Sequence, residues 1–100
     1  MKQGTTPEHI FTLPFDTALV QTVQITYAQN GDIILQKKTD DCVMEGARVT
    51  CYLTQKETFL FGASGLVSIQ MRVLTTEGNA LASDIVRVGV GACLDRGVLT

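Results

Sequence analysis

Val67, Ile69, Met71 and Val73 alternate with Ser68, Gln70 and Arg72, a period of two that an extended strand presents as one dry face and one wet face. A turn signal at Glu77-Gly78 follows, after which Val86, Val88 and Val90 alternate with Arg87 and Gly89. The stretch from Leu66 to Val90 is therefore predicted to form one long antiparallel hairpin. Asp84 conflicts with this alternation, because a two-residue Glu77-Gly78 loop would set it opposite Met71. A β-bulge near Ser83-Asp84 would relieve the conflict.

The rest of the chain repeats the pattern in shorter pieces. His9 to Leu13 reads as a first strand stopped by Pro14, which cannot donate to a ladder. Over Thr22 to Ala28, Val23, Ile25 and Tyr27 alternate with Thr22, Gln24 and Thr26, and Asp32 to Lys38 returns across Asn30-Gly31. A two-residue loop there would put Tyr27 opposite Ile34 and mix the faces. A three-residue loop, Gln29 to Gly31, pairs Tyr27 with Ile33 and Ile25 with Leu35, so it is the expected one, with Gly31 left-handed.

Cys42 to Met44 and Ala47 to Leu53 are the next strands. In the second, Ala47, Val49, Cys51 and Leu53 point inward, while Arg48, Thr50 and Tyr52 point outward. Thr54 and Glu57 have capping-box spacing and start one turn of helix. Phe59 and Phe61 then alternate into the core, and Gly62 to Gly65 is a loop. In the tail after Val90, Leu94, Val98 and Leu99 either pad an edge or fray.

About seven strands separated by regular turn signals specify an all-β fold: an immunoglobulin-like two-sheet antiparallel sandwich with one helical turn. Residues 1–100 make a single domain, with about 1–7 and 92–100 expected to fray. A small barrel is the competing closure. No Trp is present, and no inter-sheet cysteine pair of the antibody kind is evident.

Composition narrows the function classes. A net charge of -2, with no basic cluster beyond Lys37-Lys38, argues against nucleic-acid binding. No run approaches the ~18 apolar residues of a membrane span. The first residues hold no apolar run of signal-peptide length, so cytoplasmic folding is expected. Charged residues make up 18% of the chain, below the roughly 25% usual for soluble domains, which suggests that a partner covers part of the surface.

Three cysteines without metal-type spacing are expected to be reduced in that compartment. Whether two of them face each other depends on register. A Gly46-Ala47 loop sets Cys42 opposite Cys51, and a Glu45-Gly46 loop sets it opposite Val49.

Catalytic machinery is not legible. His9 is the only histidine, and it lies on a short strand near the terminus. Adjacent Asp40 and Asp41 point to opposite sides of an extended chain and cannot pair as acid and base. Neither Gly62–Gly65 nor Gly89–Gly91 has the strand, lysine and helix of a phosphate cradle. No catalytic residue, metal or cofactor is expected. The outward faces are polar but mostly uncharged, a composition that suits protein contacts, and Arg48, Tyr52, Gln70 and Arg72 are the candidate contact residues. Exposed sheet edges would also admit a partner's strand.

The order LTQKETFLF, LVSIQMRVLTTEGNALASDIVRVGVG and LDRGVL resembles small proteins encoded in prophages of Gram-positive gut bacteria. It is similar, more loosely, to the N-terminal β-sandwich domain of phage baseplate upper proteins. The shared elements are the Leu53-Thr54 strand end, the V-x-I-Q-x-R-V strand at Val67 to Val73, the Gly78 turn and the Ser83 to Val90 strand. The resemblance spans roughly Thr5 to Leu99 and consists of strand patterns rather than catalytic signatures. It implies a structural role in a tail or baseplate assembly, without enzyme activity or cofactor. The partners would be other phage structural proteins or a second copy of the chain. The location would be the host cytoplasm during assembly, and then the virion. The alternative expectation is a carbohydrate- or surface-binding module, for which the only tyrosines are Tyr52 and Tyr27, and Tyr27 is expected to face inward.

Overall fold

The computed structural model describes residues 1–100. Its elements, in chain order, are β1 (Glu8–Thr12), β2 (Val20–Gln29), β3 (Asp32–Lys38), β4 (Cys42–Glu45), β5 (Arg48–Tyr52), the single helical turn α1 (Gln55–Thr58), β6 (Val67–Thr75), β7 (Ala80–Ala82) and β8 (Val86–Val88). Short 3-10 turns at Thr17–Leu19 and Thr39–Asp41 lead into β2 and β4. The strands form two antiparallel sheets, one of three strands in the order β1-β5-β4 and one of five. In the larger sheet the order is β3-β2-β6-β7, with β8 also paired to β6. The all-β, two-sheet antiparallel sandwich expected from the sequence is the observed architecture.

Period-two alternation places the core. Val23, Ile25 and Tyr27 of β2 and Val67, Ile69, Met71 and Val73 of β6 meet Val49 and Cys51 of β5, together with Leu53 and Phe61. Tyr27 and Phe61 are fully buried, and their rings pack 5.9 Å apart at 49°. Such a tilted aromatic pair adds about 0.5–1.5 kcal/mol to the gain from burial. Only 16 of the 100 residues are buried, and a ring of partly buried apolar side chains, Phe11, Phe15, Leu35 and Met44 among them, extends this small core.

The β2–β3 turn differs from expectation. Its loop has two residues, Asn30 and Gly31, both with positive φ (54° and 83°), not three. An Asn-Gly pair is well suited to this tight primed turn. The face mismatch that such a loop creates is corrected by a β-bulge: Gln29 pairs with Asp32 and Ala28 with Ile33, and the register then shifts so that Tyr27 pairs with Leu35. Ile33, expected opposite Tyr27, instead points out at 63% exposure.

The β6–β7 turn also departs by one residue. Thr75 N–H donates to Asn79 O across Thr76–Gly78, so the loop has three residues rather than two. This register brings Ser83, not Asp84, opposite Met71. Ser83 N–H donates to Met71 O, and Met71 N–H donates to Ser83 Oγ. Beyond Ser83 the register moves by one, to Ile69 with Val86 and Val67 with Val88, which is the bulge that the Asp84 conflict called for. The break divides the returning arm into β7 and β8, so the strands number eight.

Both termini, expected to fray, are fastened to the sandwich and to each other. Lys2 bridges Gly91 in parallel register, and Met1 N donates to Gly89 O. Gln3 is buried at 4% exposure and donates from Nε2 to Phe61 O at 2.6 Å. Its Oε1 accepts from Cys93 N and from Arg96 Nη1. Arg96 also donates to Phe59 O and lies 5.0 Å over the Phe59 ring, while Leu99 and Gln55 exchange two hydrogen bonds. The physical reason is satisfaction of buried polar atoms: the Gln3 amide, drawn into the protein, needs partners that the tail supplies. The side chain of Leu94 projects fully into solvent and pads nothing, and Leu99 is mostly exposed.

Candidate functional site

Two opposite outer sheet faces, one polar interior row and one uncovered apolar edge are the places where chemistry or recognition could reside. In the interior, β1 and β4 flank β5 so that His9 and Cys42 both lie opposite Cys51, forming one inward row across the small sheet. Tyr27 reaches this row from the larger sheet. Its hydroxyl donates to Cys51 Sγ at 3.6 Å and meets His9 Nδ1 at 2.7 Å. The His9–Tyr27 contact is the shorter of the two, and which of its partners donates depends on the imidazole tautomer.

Electrostatics keep the row neutral. Burial, with the positive charge of the chain's amino group, lowers the pKa of His9. Burial pushes the Tyr27 phenol well up and raises the Cys51 thiol, the latter partly offset by the Tyr27 hydrogen bond. Burial, with Cys51 nearby, lifts the Cys42 thiol to about 11. Uncharged imidazole, phenol and thiols at neutral pH make the row a hydrogen-bonded packing device, and Tyr27 has no exposed surface from which to act on a solute. The Tyr27 ring expected to face inward does so, which removes it as a sugar-stacking platform. No group of three or more His, Cys, Asp or Glu side chains is placed to hold a metal ion.

The four candidate contact residues fall on two opposite surfaces. Arg48 and Tyr52 lie on the outer face of the three-stranded sheet, on β5. Gln70 and Arg72 lie on the outer face of the five-stranded sheet, on β6. They cannot form one site, since the core separates the two faces. Around Tyr52, which is 50% exposed, the cross-strand row Ile10–Thr50–Val43 adds two half-exposed apolar side chains. Around Arg72, Gln24 and Lys38 pair across the sheet and line a shallow groove of about 460 Å³ that contains no aromatic residue. Gln70 is partly occupied: its Nε2 donates to Ser83 O in the gap left by the bulge.

A further surface was not legible in the sequence. Leu81 pairs with Val73 and Val86 with Ile69, so both share the core-facing side of the larger sheet. They are nonetheless 45% and 52% exposed. Three strands cannot cover five, and β1 is the edge at which cover runs out. There, Leu13 and Phe15 border a cleft of about 280 Å³ whose far wall is Met71, Val73 and Leu81. The free edge of β1 is unpaired in a definite pattern. Pro7 O accepts from Leu53, and Leu13 N–H donates to Ala47 O, so odd-numbered residues bond toward β5. Glu8, Ile10 and Thr12 then turn their backbone groups outward, away from the sheet.

No helix is long and apolar enough to cross a membrane. Compared with known proteins, the chain matches no family model, no curated protein and no solved structure.

Proposed function

We propose that this protein is a non-catalytic interaction module of a phage or prophage tail or baseplate assembly, and that it docks a partner's extended segment beside β1. The observation that carries the docking mode is the exposure of Leu81 and Val86 on the core-facing side of their sheet. A strand added to β1 would continue the small sheet over these side chains. It would bond the outward backbone groups of Glu8, Ile10 and Thr12 and bury the apolar overhang at once. Each half-exposed aliphatic residue covered in this way contributes about 1 kcal/mol. The assembly context rests on the resemblance of the Val67 to Val90 segment and its flanks to baseplate-region domains. A carbohydrate-binding reading is less well supported, because the polar groove at Arg72 offers no ring for a sugar to stack on.

The test begins with intact particles purified after prophage induction, in which the chain is quantified against the major capsid protein by mass spectrometry. A fixed low copy number is expected. Particles that lack the chain would remove the assembly role. For the docking mode, Ile10→Pro deletes one outward N–H while sparing the β1–β5 ladder, and Leu81→Arg charges the overhang. Both variants should fold, by circular dichroism, yet fail to enter particles. Incorporation of both at the wild-type level would refute strand addition.

A further inference from the structure

Cys42 and Cys51 are direct cross-strand partners, at the far end of the β4–β5 hairpin from its two-residue Gly46-Ala47 loop. The bonding pattern of the sheet identifies what kind of pair they form. Because the odd residues of β5 bond toward β1, its even residues bond toward β4. Arg48 with Glu45 and Thr50 with Val43 are therefore the hydrogen-bonded pairs, and Cys51 with Cys42 is a non-hydrogen-bonded one. In such pairs the Cα atoms stand about 4.5 Å apart and the side chains approach most closely. That spacing lies within the roughly 4.4–6.8 Å that a disulfide bridges.

Access is asymmetric across the pair. Cys42 starts the edge strand β4 and is partly exposed, whereas Cys51 is fully buried. The third thiol, Cys93, sits in the C-terminal tail, with its backbone N–H held by Gln3.

We infer that Cys42 and Cys51 form a thiol–disulfide exchange site, which a small-molecule disulfide of the glutathione class oxidises to a cross-strand bridge within the folded protein. The Cys42 thiolate attacks one sulfur of the oxidised glutathione. The glutathione disulfide breaks, one glutathione thiolate leaves, and a mixed disulfide forms on Cys42. The Cys51 thiolate then attacks Cys42 Sγ and displaces the second glutathione thiolate. The protein loses two electrons and two protons, and the reagent gains them as two thiols. The Tyr27 hydroxyl at Cys51 Sγ supports the second step by donating to the sulfur as it takes negative charge. The elevated thiol pKa of Cys42 makes exchange slow at neutral pH, with a rate that rises about tenfold per pH unit until that pKa is approached.

The experiment treats the full native chain with oxidised glutathione at mildly alkaline pH, then counts thiols and maps tryptic peptides. Trypsin cuts after Lys38, Arg48 and Lys56, so Thr39–Arg48 and Val49–Lys56 remain joined only through a Cys42–Cys51 bridge. Two of the three thiols should disappear, this joined pair of peptides should appear, and the midpoint of thermal unfolding should rise by roughly 10 °C, reversibly with a reducing dithiol. Cys93→Ser should still lose two thiols and Cys42→Ser should lose none by bridging. Retention of all three thiols, a glutathione adduct on Cys42 that never resolves, or a bridge that uses Cys93 would each overturn the inference. The outcome is independent of strand addition at β1, which lies on the opposite edge of the same sheet.

Discussion

Lys37 Nζ lies 2.7 Å from Glu57 Oε2 and 2.8 Å from Oε1, joining the edge strand of the larger sheet to the helical turn that leaves the smaller one. The same Oε1 accepts from Thr54 N–H, so one carboxylate closes the capping box and ties the two sheets together. Both side chains are mostly screened from solvent, at 12% and 21% exposure, which makes the pair worth more than a surface ion pair.

This pair and His9 give the protein a signed pH dependence. Burial alone would raise the Glu57 pKa, but the hydrogen bond from Lys37 and those from Thr54 hold it below the ordinary 4.5. His9, neutral and half-buried, is lowered from 6.5. In both windows the unfolded chain binds more protons than the folded one, so stability falls with falling pH. The loss runs first from about 6.5 downward, from His9, and then below 4.5, from Glu57. Cys42, raised from 9.0 to about 11, acts the other way, and stability declines as pH rises between those values. Thermal midpoints measured across pH should trace this dome. Glu57→Gln should flatten the most acidic limb, and an unchanged limb would remove Glu57 as its source.

Tyr27→Phe keeps the aromatic pair with Phe61 but removes the hydroxyl shared by His9 and Cys51. The two partners would lose their bond inside the sandwich, at a cost of about 1–2 kcal/mol. Urea unfolding should show that loss with an unchanged dependence on denaturant. A variant as stable as the wild type would mean that the row contributes nothing.

Two glycines with positive φ separate backbone strain from steric conflict. At Gly31, φ is 83° and nothing lies within 4 Å of an added Cβ, so Gly31→Ala costs about 1 kcal/mol of strain alone. Gly31→Val costs more, since a β-branched residue suits that region least. At Gly4, φ is 73° and the added Cβ would sit 2.8 Å from Phe59 Cζ, in the ring beneath Arg96. Gly4→Ala should therefore destabilise more than Gly31→Ala. Equal midpoints for the two variants would contradict the contact.

Arg96→Ala tests whether the C-terminal tail belongs to the folded unit. It removes a donor from Gln3 Oε1, a donor from Phe59 O and the cation over the Phe59 ring. A loss of about 1–2 kcal/mol is expected. Amide hydrogens of Gln3, Gly91 and Cys93, each bonded from one terminal segment to the other, should exchange faster in the variant. No change in either measurement would return the tail to the frayed state, one of the two outcomes expected of it.

The strand faces were legible because the signal is local. Each of Val23, Ile25, Val49, Cys51, Val67, Ile69, Met71 and Val73 was assigned inward from its immediate neighbours, and each is buried. The capping box at Thr54 and Glu57 was legible for the same reason. The turn lengths were not. At Asn30-Gly31, face matching argued for three residues, but the pair's aptitude for a two-residue turn prevailed and a bulge absorbed the difference.

What the sequence by itself determined is which side chains share a face and where the chain turns, since period and turn chemistry are written within a few consecutive residues. Only the tertiary structure decided which faces find cover. Val86 carries the same alternating signal as buried Val73 and Ile69, and Leu81 pairs with Val73, yet both stay exposed because β1 ends the smaller sheet short of them. Likewise, Gln3 and Arg96 read as tail residues until folding brings positions 93 apart in sequence into one hydrogen bond. Coverage and long-range pairing depend on how many strands each sheet has and where they stop, and no local period encodes that.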